Sequence, residues 1–267
     1  MSGIFVKWAD APGTVNGFYR MLIAITLFAI PVSVQARRAA PFSRRHLWLA
    51  ALGGIFFALD LAFWNNAVLI TSAANATLFG NTSVIWVSIG AMVLFKERLR
   101  PAFWGGLFIA MVGVLVILGQ DFLIHPTLGF GDLMSILAGF CYSVFFLAAE
   151  RARDKLSAFI AWWVSSLASA IVLLALSLAL GLPMFGYPTH TYLSILGLAV
   201  ITQVGGYLAV NYALGHLPSS IVSPTLLGQP VVTALLGVPL LGQGLSAVQI
   251  LGGMLVLGGI LMLHKTK

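Results

Sequence analysis

One stretch of this chain occurs twice. "NNAVLITSAANATLFGNTSVIWVSIGAMVLFKERLRPAFWGGLFIAMVGVLVIL", from Asn65 to Leu118, returns from Asn211 as "NYALGHLPSSIVSPTLLGQPVVTALLGVPLLGQGLSAVQILGGMLVLGGILML". Asn65 falls on Asn211, Ala67 on Ala213, Glu97 on Gln243, Gly106 on Gly252 and Gly113 on Gly259. Both copies are apolar segments interrupted by small polar residues. Internal duplication of this kind is a common way to build a membrane-embedded carrier.

Composition says which solvent the copies face. Hydrophobic residues make up 60% and charged residues 8%, whereas a water-soluble domain carries about a quarter charged residues. Apolar runs cover 17–35, 47–70, 72–95, 102–119, 131–150, 157–181, 191–214, 217–241 and 246–264. Ahead of them "SGIFVKWAD", closed by Pro12 and Gly13, reads as the end of a helix whose first half is missing. The expectation is an all-α integral membrane protein of ten transmembrane helices, the first one truncated. The single Cys141 excludes an intrachain disulfide.

The +7 net charge is a matter of topology. Arg37, Arg38, Arg44 and Arg45 share one loop, and Lys96, Arg98 and Arg100 the loop two crossings later. Arg151, Arg153 and Lys155 follow after two more crossings, and Lys265 and Lys267 end the chain. Basic residues stay on the cytoplasmic side of a bilayer, so the C-terminus is expected in the cytoplasm, with only Lys7 and Arg20 towards the other side. No basic face suited to nucleic acid appears. Each half holds five helices, an odd number, so residues 1–119 and 131–264 are expected as inverted repeats with a substrate site near the midplane.

The two copies resemble the EamA domains of the drug/metabolite transporter superfamily. That resemblance implies ten helices in an inverted five-plus-five arrangement in the cell inner membrane. It also implies transport, often export, of amino acids and other small metabolites.

Several polar residues at membrane depth are candidates for a cavity wall. Asp60, in "LGGIFFALDLAFWNNAVLI", is the acid deepest in an apolar run, and an ionised carboxylate there costs about 2.5–3.5 kcal/mol unless it faces water or a partner. It is either a binding or proton-linked carboxylate or a packing residue, and Trp64 lies one turn on. Gln203, Tyr207 and Asn211 are spaced four apart, which makes one polar stripe on a regular helix. Gly205 and Gly206 beside it read as a close helix contact. Asn75 and Asn81 in the first copy and Gln229 in the second lie at similar depth. Pro224 and Pro230 suggest hinges, since a mid-membrane proline frees backbone groups that protein or water must satisfy. Tyr142 and Trp163 offer flat surfaces for an apolar or aromatic substrate. Bundle packing would explain each of these residues equally simply.

Nothing in the sequence calls for a metal or cofactor: there is no Walker loop, HExxH or Cys/His cluster. "GFGD" at 129–132 resembles an intramembrane aspartyl protease signature, but such a dyad needs a second carboxylate at the same depth. The reading is a secondary transporter exporting amino acids, aromatic or apolar ones foremost, as a monomer or weak oligomer in the bilayer. The scarcity of buried Arg or Lys argues against a polyanion. The alternatives are an exporter of hydrophobic cations with Asp60 as counter-charge, and a non-transporting receptor or assembly subunit.

Overall fold

The computed structural model describes residues 6, 8–38, 42–124, 129–241 and 246–265. The chain is helical: α1 Gly13–Arg38, α2 Arg44–Ile70, α3 Ala73–Gly80, α4 Ser83–Leu94, α5 Pro101–Ile124, α6 Phe130–Arg153 and α7 Ala158–Ala179. Next come α8 Thr189–Gly197, a π-helical stretch Leu198–Tyr207, α9 Leu208–Ala213, α10 Ser219–Thr225, a 3-10 turn Leu226–Gly228, α11 Gln229–Leu241 and α12 Ala247–Lys265. Among the described residues nine helical runs are long and apolar enough to cross a membrane. Of the expected truncated first helix, Val6, Trp8 and Ala9 are helical; the rest, with Lys7, lies outside the described residues, as do Gln243 and Lys267.

The helices begin where sequence chemistry supplies a partner for orphan N–H groups. Ser72 Oγ accepts from the Asn75 N–H at 2.9 Å, and Ser157 Oγ from that of Ile160 at 3.4 Å. Asp132 belongs to this class: its carboxylate accepts from the Gly129 N–H at 2.9 Å and from the Thr71 hydroxyl at 3.3 Å. The "GFGD" aspartate therefore closes a helix turn and ties α6 to the end of α2. Leu27, Trp48, Phe108, Ile171, Ile201 and Leu261 point outward and are exposed. In water such a belt would aggregate; in lipid it is the solvated face.

Helix α2 is the hub, packed on α6 and α7, while α1 packs on α7. Phe57 and Leu61 of α2 are buried with Phe145 and Phe146 of α6 and Leu173 of α7. Small residues bring the backbones together. Ser165 and Ser169 of α7 donate to the carbonyls of Ala50 and Gly54 at 2.7 and 2.6 Å, and a Cβ at Gly54 would lie 2.2 Å from the Ser165 carbonyl. The second seam joins α5 to α12. Gly106 abuts Gly259 and Gly113 abuts Gly252, each approach too close for a Cβ. The sequence equates Gly106 with Gly252, yet the structure pairs it with Gly259. Equivalent helices thus run antiparallel about a local two-fold, the relation an inverted duplication requires.

At the end carrying the basic loops, the bundle is tied shut by polar contacts. The Ser220 hydroxyl donates to Glu97 Oε2 at 2.6 Å, and the Ser219 N–H to Glu150 Oε2 at 2.8 Å. Arg153 Nε donates to the Asn211 carbonyl at 2.8 Å, and its Nη1 to that of Leu156. Glu97 thus reaches across to the other copy.

Candidate functional site

A cavity of about 460 Å³ lies between the middle of the bundle and the end opposite the basic loops. Its wall comes from both copies. Asp60, Leu61 and Trp64 of α2 face Gly80, Asn81 and Ser83 at the α3–α4 junction. Tyr142 of α6, Tyr207, and Ser223, Leu227, Gln229 and Pro230 around the second junction complete most of it. Arg20 of α1, Ile117 and Leu118 of α5, and Gln249 of α12 also contribute.

Both helix interruptions open onto this cavity, and they are equivalent in the duplication. In the first copy the run breaks at Asn81–Thr82, between α3 and α4; in the second it breaks at Leu226–Gly228, between α10 and α11. Paired breaks in inverted repeats leave backbone groups free to face a solute near the midplane. Gly80 lies against the Trp64 indole, where a Cβ would meet Cδ1 at an ordinary contact distance of 3.5 Å. Pro230 is the second residue of α11, where its missing N–H costs little. Pro224 is buried in the last turn of α10 and off the cavity; the break falls between the two prolines.

The charge pattern of the wall differs from the expected one. Arg20, expected near the outer surface, is 2% exposed inside the bundle. Its Nε and Nη2 donate to Gln203 Oε1 at 3.3 and 3.1 Å, and its Cζ lies 5.6 Å from the centre of the Tyr207 ring. Gln203 is held in turn: its Nε2 donates to Ser166 Oγ at 3.4 Å, and its carbonyl accepts from Trp162 Nε1 at 3.2 Å. Asp60, 8% exposed, takes no hydrogen bond or ion pair within the described residues, and its carboxylate faces the cavity. Two opposite charges therefore share one cavity without touching. Around them Phe57, Tyr142 and Tyr207 form an aromatic group, with ring centres 4.6 Å apart for Phe57–Tyr207 and 6.2 Å for Tyr142–Tyr207.

Of the residues singled out from the sequence, Asp60, Trp64, Asn81, Tyr142, Tyr207, Gln229 and Pro230 line the cavity. Asn75, Trp163, Gln203 and Asn211 do not. Asn75 is buried in the first turn of α3. Trp163 packs into the core and donates to the Ile25 carbonyl at 3.0 Å. Asn211 donates to the Tyr207 carbonyl at 3.1 Å and sits beside Arg153. Of the four-residue stripe only Tyr207, at the end of the π-helical stretch, reaches the cavity: Gln203 is turned to Arg20 and Ser166, and Asn211 lies towards the basic end beside Arg153. Gly205 and Gly206 lie in that stretch, and a Cβ on either would meet nothing closer than 3.6 Å, so they mark no close helix contact.

Arg20 is the residue that sequence reasoning missed, although a signal existed. It stands seven residues from the outer end of α1, and Asp60 ten from the outer end of α2. At about 1.5 Å per residue the two lie at similar depth.

Comparison with known proteins fits this architecture. The model of the EamA-like transporter family matches residues 1–119 and again 129–264. The chain belongs to the EamA-like transporter family. It is 27% identical over 252 residues to an uncharacterized transporter of Archaeoglobus fulgidus, covering 91% of this chain and 84% of that one. It is 27% identical over 185 residues to a Salmonella typhimurium protein named "Probable amino-acid metabolite efflux pump", covering 65% and 61%. A solved crystal structure superposes with a TM-score of 0.75 at 18% identity, covering 98% of this chain and 96% of that one, which shows the shared fold. This EamA-like chain is thus a multi-pass membrane protein of a transporter family, and the reading as a receptor or assembly subunit is set aside.

Proposed function

We propose that this EamA-like transporter exports amino acids or closely similar small metabolites across the cell inner membrane by alternating access, with its C-terminus in the cytoplasm. Residues 1–119 and 131–264 are its two inverted units, and the solute sits where their helix breaks meet. The observation that carries the reading is the cavity at those breaks. It is walled by both copies, mostly uncharged, and closed off from the basic end by the Glu97–Ser220 and Glu150–Ser219 contacts. A volume of about 460 Å³ suits a single amino acid, with aromatic rings for an apolar side chain and a few polar groups to orient it. The efflux-pump relative supports the cargo class. The hydrophobic-cation reading is weaker, because Arg20 in the wall offsets the charge of Asp60.

Counterflow tests this directly. Purified protein in liposomes preloaded with unlabelled phenylalanine, leucine or threonine is expected to accumulate the labelled form transiently. Absence of counterflow for all twenty amino acids would reject the proposal. A proton gradient through Asp60 is the proposed energy source. Flux that ignores an imposed pH gradient would leave the substrate gradient as the only drive.

A further inference from the structure

We propose that Arg20 and Asp60 form a split-charge clamp that makes the cavity select net-neutral zwitterions: the substrate carboxylate docks on Arg20 and its ammonium on Asp60. This rests on the amino-acid reading above and assigns the groups that recognise the two ends of the solute.

The argument begins with the guanidinium. Arg20 spends Nε and Nη2 on one acceptor, the Gln203 side chain, and its other side-chain hydrogen-bonding partner is Tyr207. Both partners are neutral, and Arg20 lies on the wall of the cavity. Gln203 is fixed by Ser166 and presents only a carbonyl oxygen, so it orients the fork without neutralising it. The Tyr207 ring backs the cation from the side. Asp60 is the complement: a nearly buried carboxylate with no donor within the described residues, on the wall of the same cavity. Buried charges in proteins are ordinarily paired directly. Here a neutral glutamine holds the cation back, and each charge keeps one face towards the space between them.

A molecule with both signs a few ångströms apart satisfies both faces at once. A cation satisfies only Asp60 and meets the field of Arg20; an anion has the mirrored problem. Because the wall sums to zero, neither charged class gains a net attraction from it. The aromatic group of Phe57, Tyr142 and Tyr207 stands beside the pair, where an apolar or aromatic side chain would lie.

The test removes one charge at a time from the solute and then from the protein. Counterflow of labelled phenylalanine by the intact protein is competed with unlabelled phenylalanine, L-phenylalaninamide (no carboxylate) and 3-phenylpropionate (no ammonium). Losing one charged partner is expected to weaken competition by about tenfold to a hundredfold. In Asp60→Asn the penalty on 3-phenylpropionate should shrink while that on the amide persists, and in Arg20→Gln the pattern should invert. Arg20→Gln also disturbs Gln203, and the wild-type analogue series decides the proposal even where that variant does not fold. Competition by the amide and the acid as strong as that by phenylalanine itself would overturn the clamp while leaving amino-acid transport standing. No exchange of phenylalanine or any other amino acid would remove both.

Discussion

Arg20 and Gln203 carry the clearest consequence at the scale of single residues. Gln203 accepts two hydrogen bonds from the Arg20 guanidinium, so replacing it with leucine leaves a buried cation without that acceptor. Removing one partner of a buried charged hydrogen bond costs about 1.5–3 kcal/mol. Gln203→Leu is therefore expected to lower the unfolding temperature in detergent and to abolish counterflow. Gln203→Glu should instead keep the fold but pair Arg20 directly, closing the face turned to the solute, so exchange falls while the melting temperature holds or rises. Equal loss of stability in both variants would deny Gln203 a positioning role. This layer was only half legible in the sequence. Asp60 stands out because an ionised acid in an apolar run is costly unless it faces water or a partner. Arg20 lies near a helix end, where long basic side chains ordinarily reach the interface, and only the packing of α1 against α7 and the π-helical stretch shows it turned inward. Gln203, Asn211 and Trp163 were visible as polar or aromatic residues at depth. Which way they face depends on how the helices pack against one another, which residue spacing does not encode.

At the scale of elements, the α5–α12 seam sets a sharp contrast within one glycine pair. A Cβ on Gly259 would lie 2.5 Å from the Ala110 backbone nitrogen, whereas one on Gly258 would meet nothing within 4 Å. Overpacking a tight contact costs about 1–3 kcal/mol, and more where backbone must move. Gly259→Ala should lower the melting temperature and the yield of monodisperse protein, while Gly258→Ala should be neutral or stabilising by up to about 1 kcal/mol, since alanine is the better helix former. Melting curves from one detergent preparation compare the two directly. Equal tolerance would mean that the helices do not meet as described. The sequence displays both glycines as an indistinguishable doublet, and only the seam tells which one faces its partner. The helix breaks were more accessible. The two prolines pointed to irregular backbone in the second copy, but the interruption at Leu226–Gly228 falls between them and not at either, and in the first copy Asn81 stood out only as a polar residue at depth.

For the molecule as a whole, the proposed alternating access makes the cavity and the polar contacts at the basic end one of two arrangements. The solute space lies towards the end opposite the basic loops, and the other end is held by carboxylates of Glu97 and Glu150 at the start of α10. An alternating carrier must release those contacts to expose the site on the basic side, so weakening them should shift the population that way. A ligand or mutation moves such an equilibrium only by the free-energy difference it makes between the states, and about 1.4 kcal/mol shifts the ratio tenfold. In a Cys141→Ala background, Ala234→Cys on the cavity wall reports exposure through labelling by a membrane-impermeant maleimide. With right-side-out vesicles, labelling from outside is expected to be rapid, and adding Glu97→Gln with Glu150→Gln should slow it about tenfold by favouring the opposite arrangement. Labelling from the basic side in inverted vesicles should rise to match. If the double substitution leaves both rates unchanged, the carboxylates merely cap a helix, and the barrier at the basic end lies in the apolar packing of α4, α6 and α10.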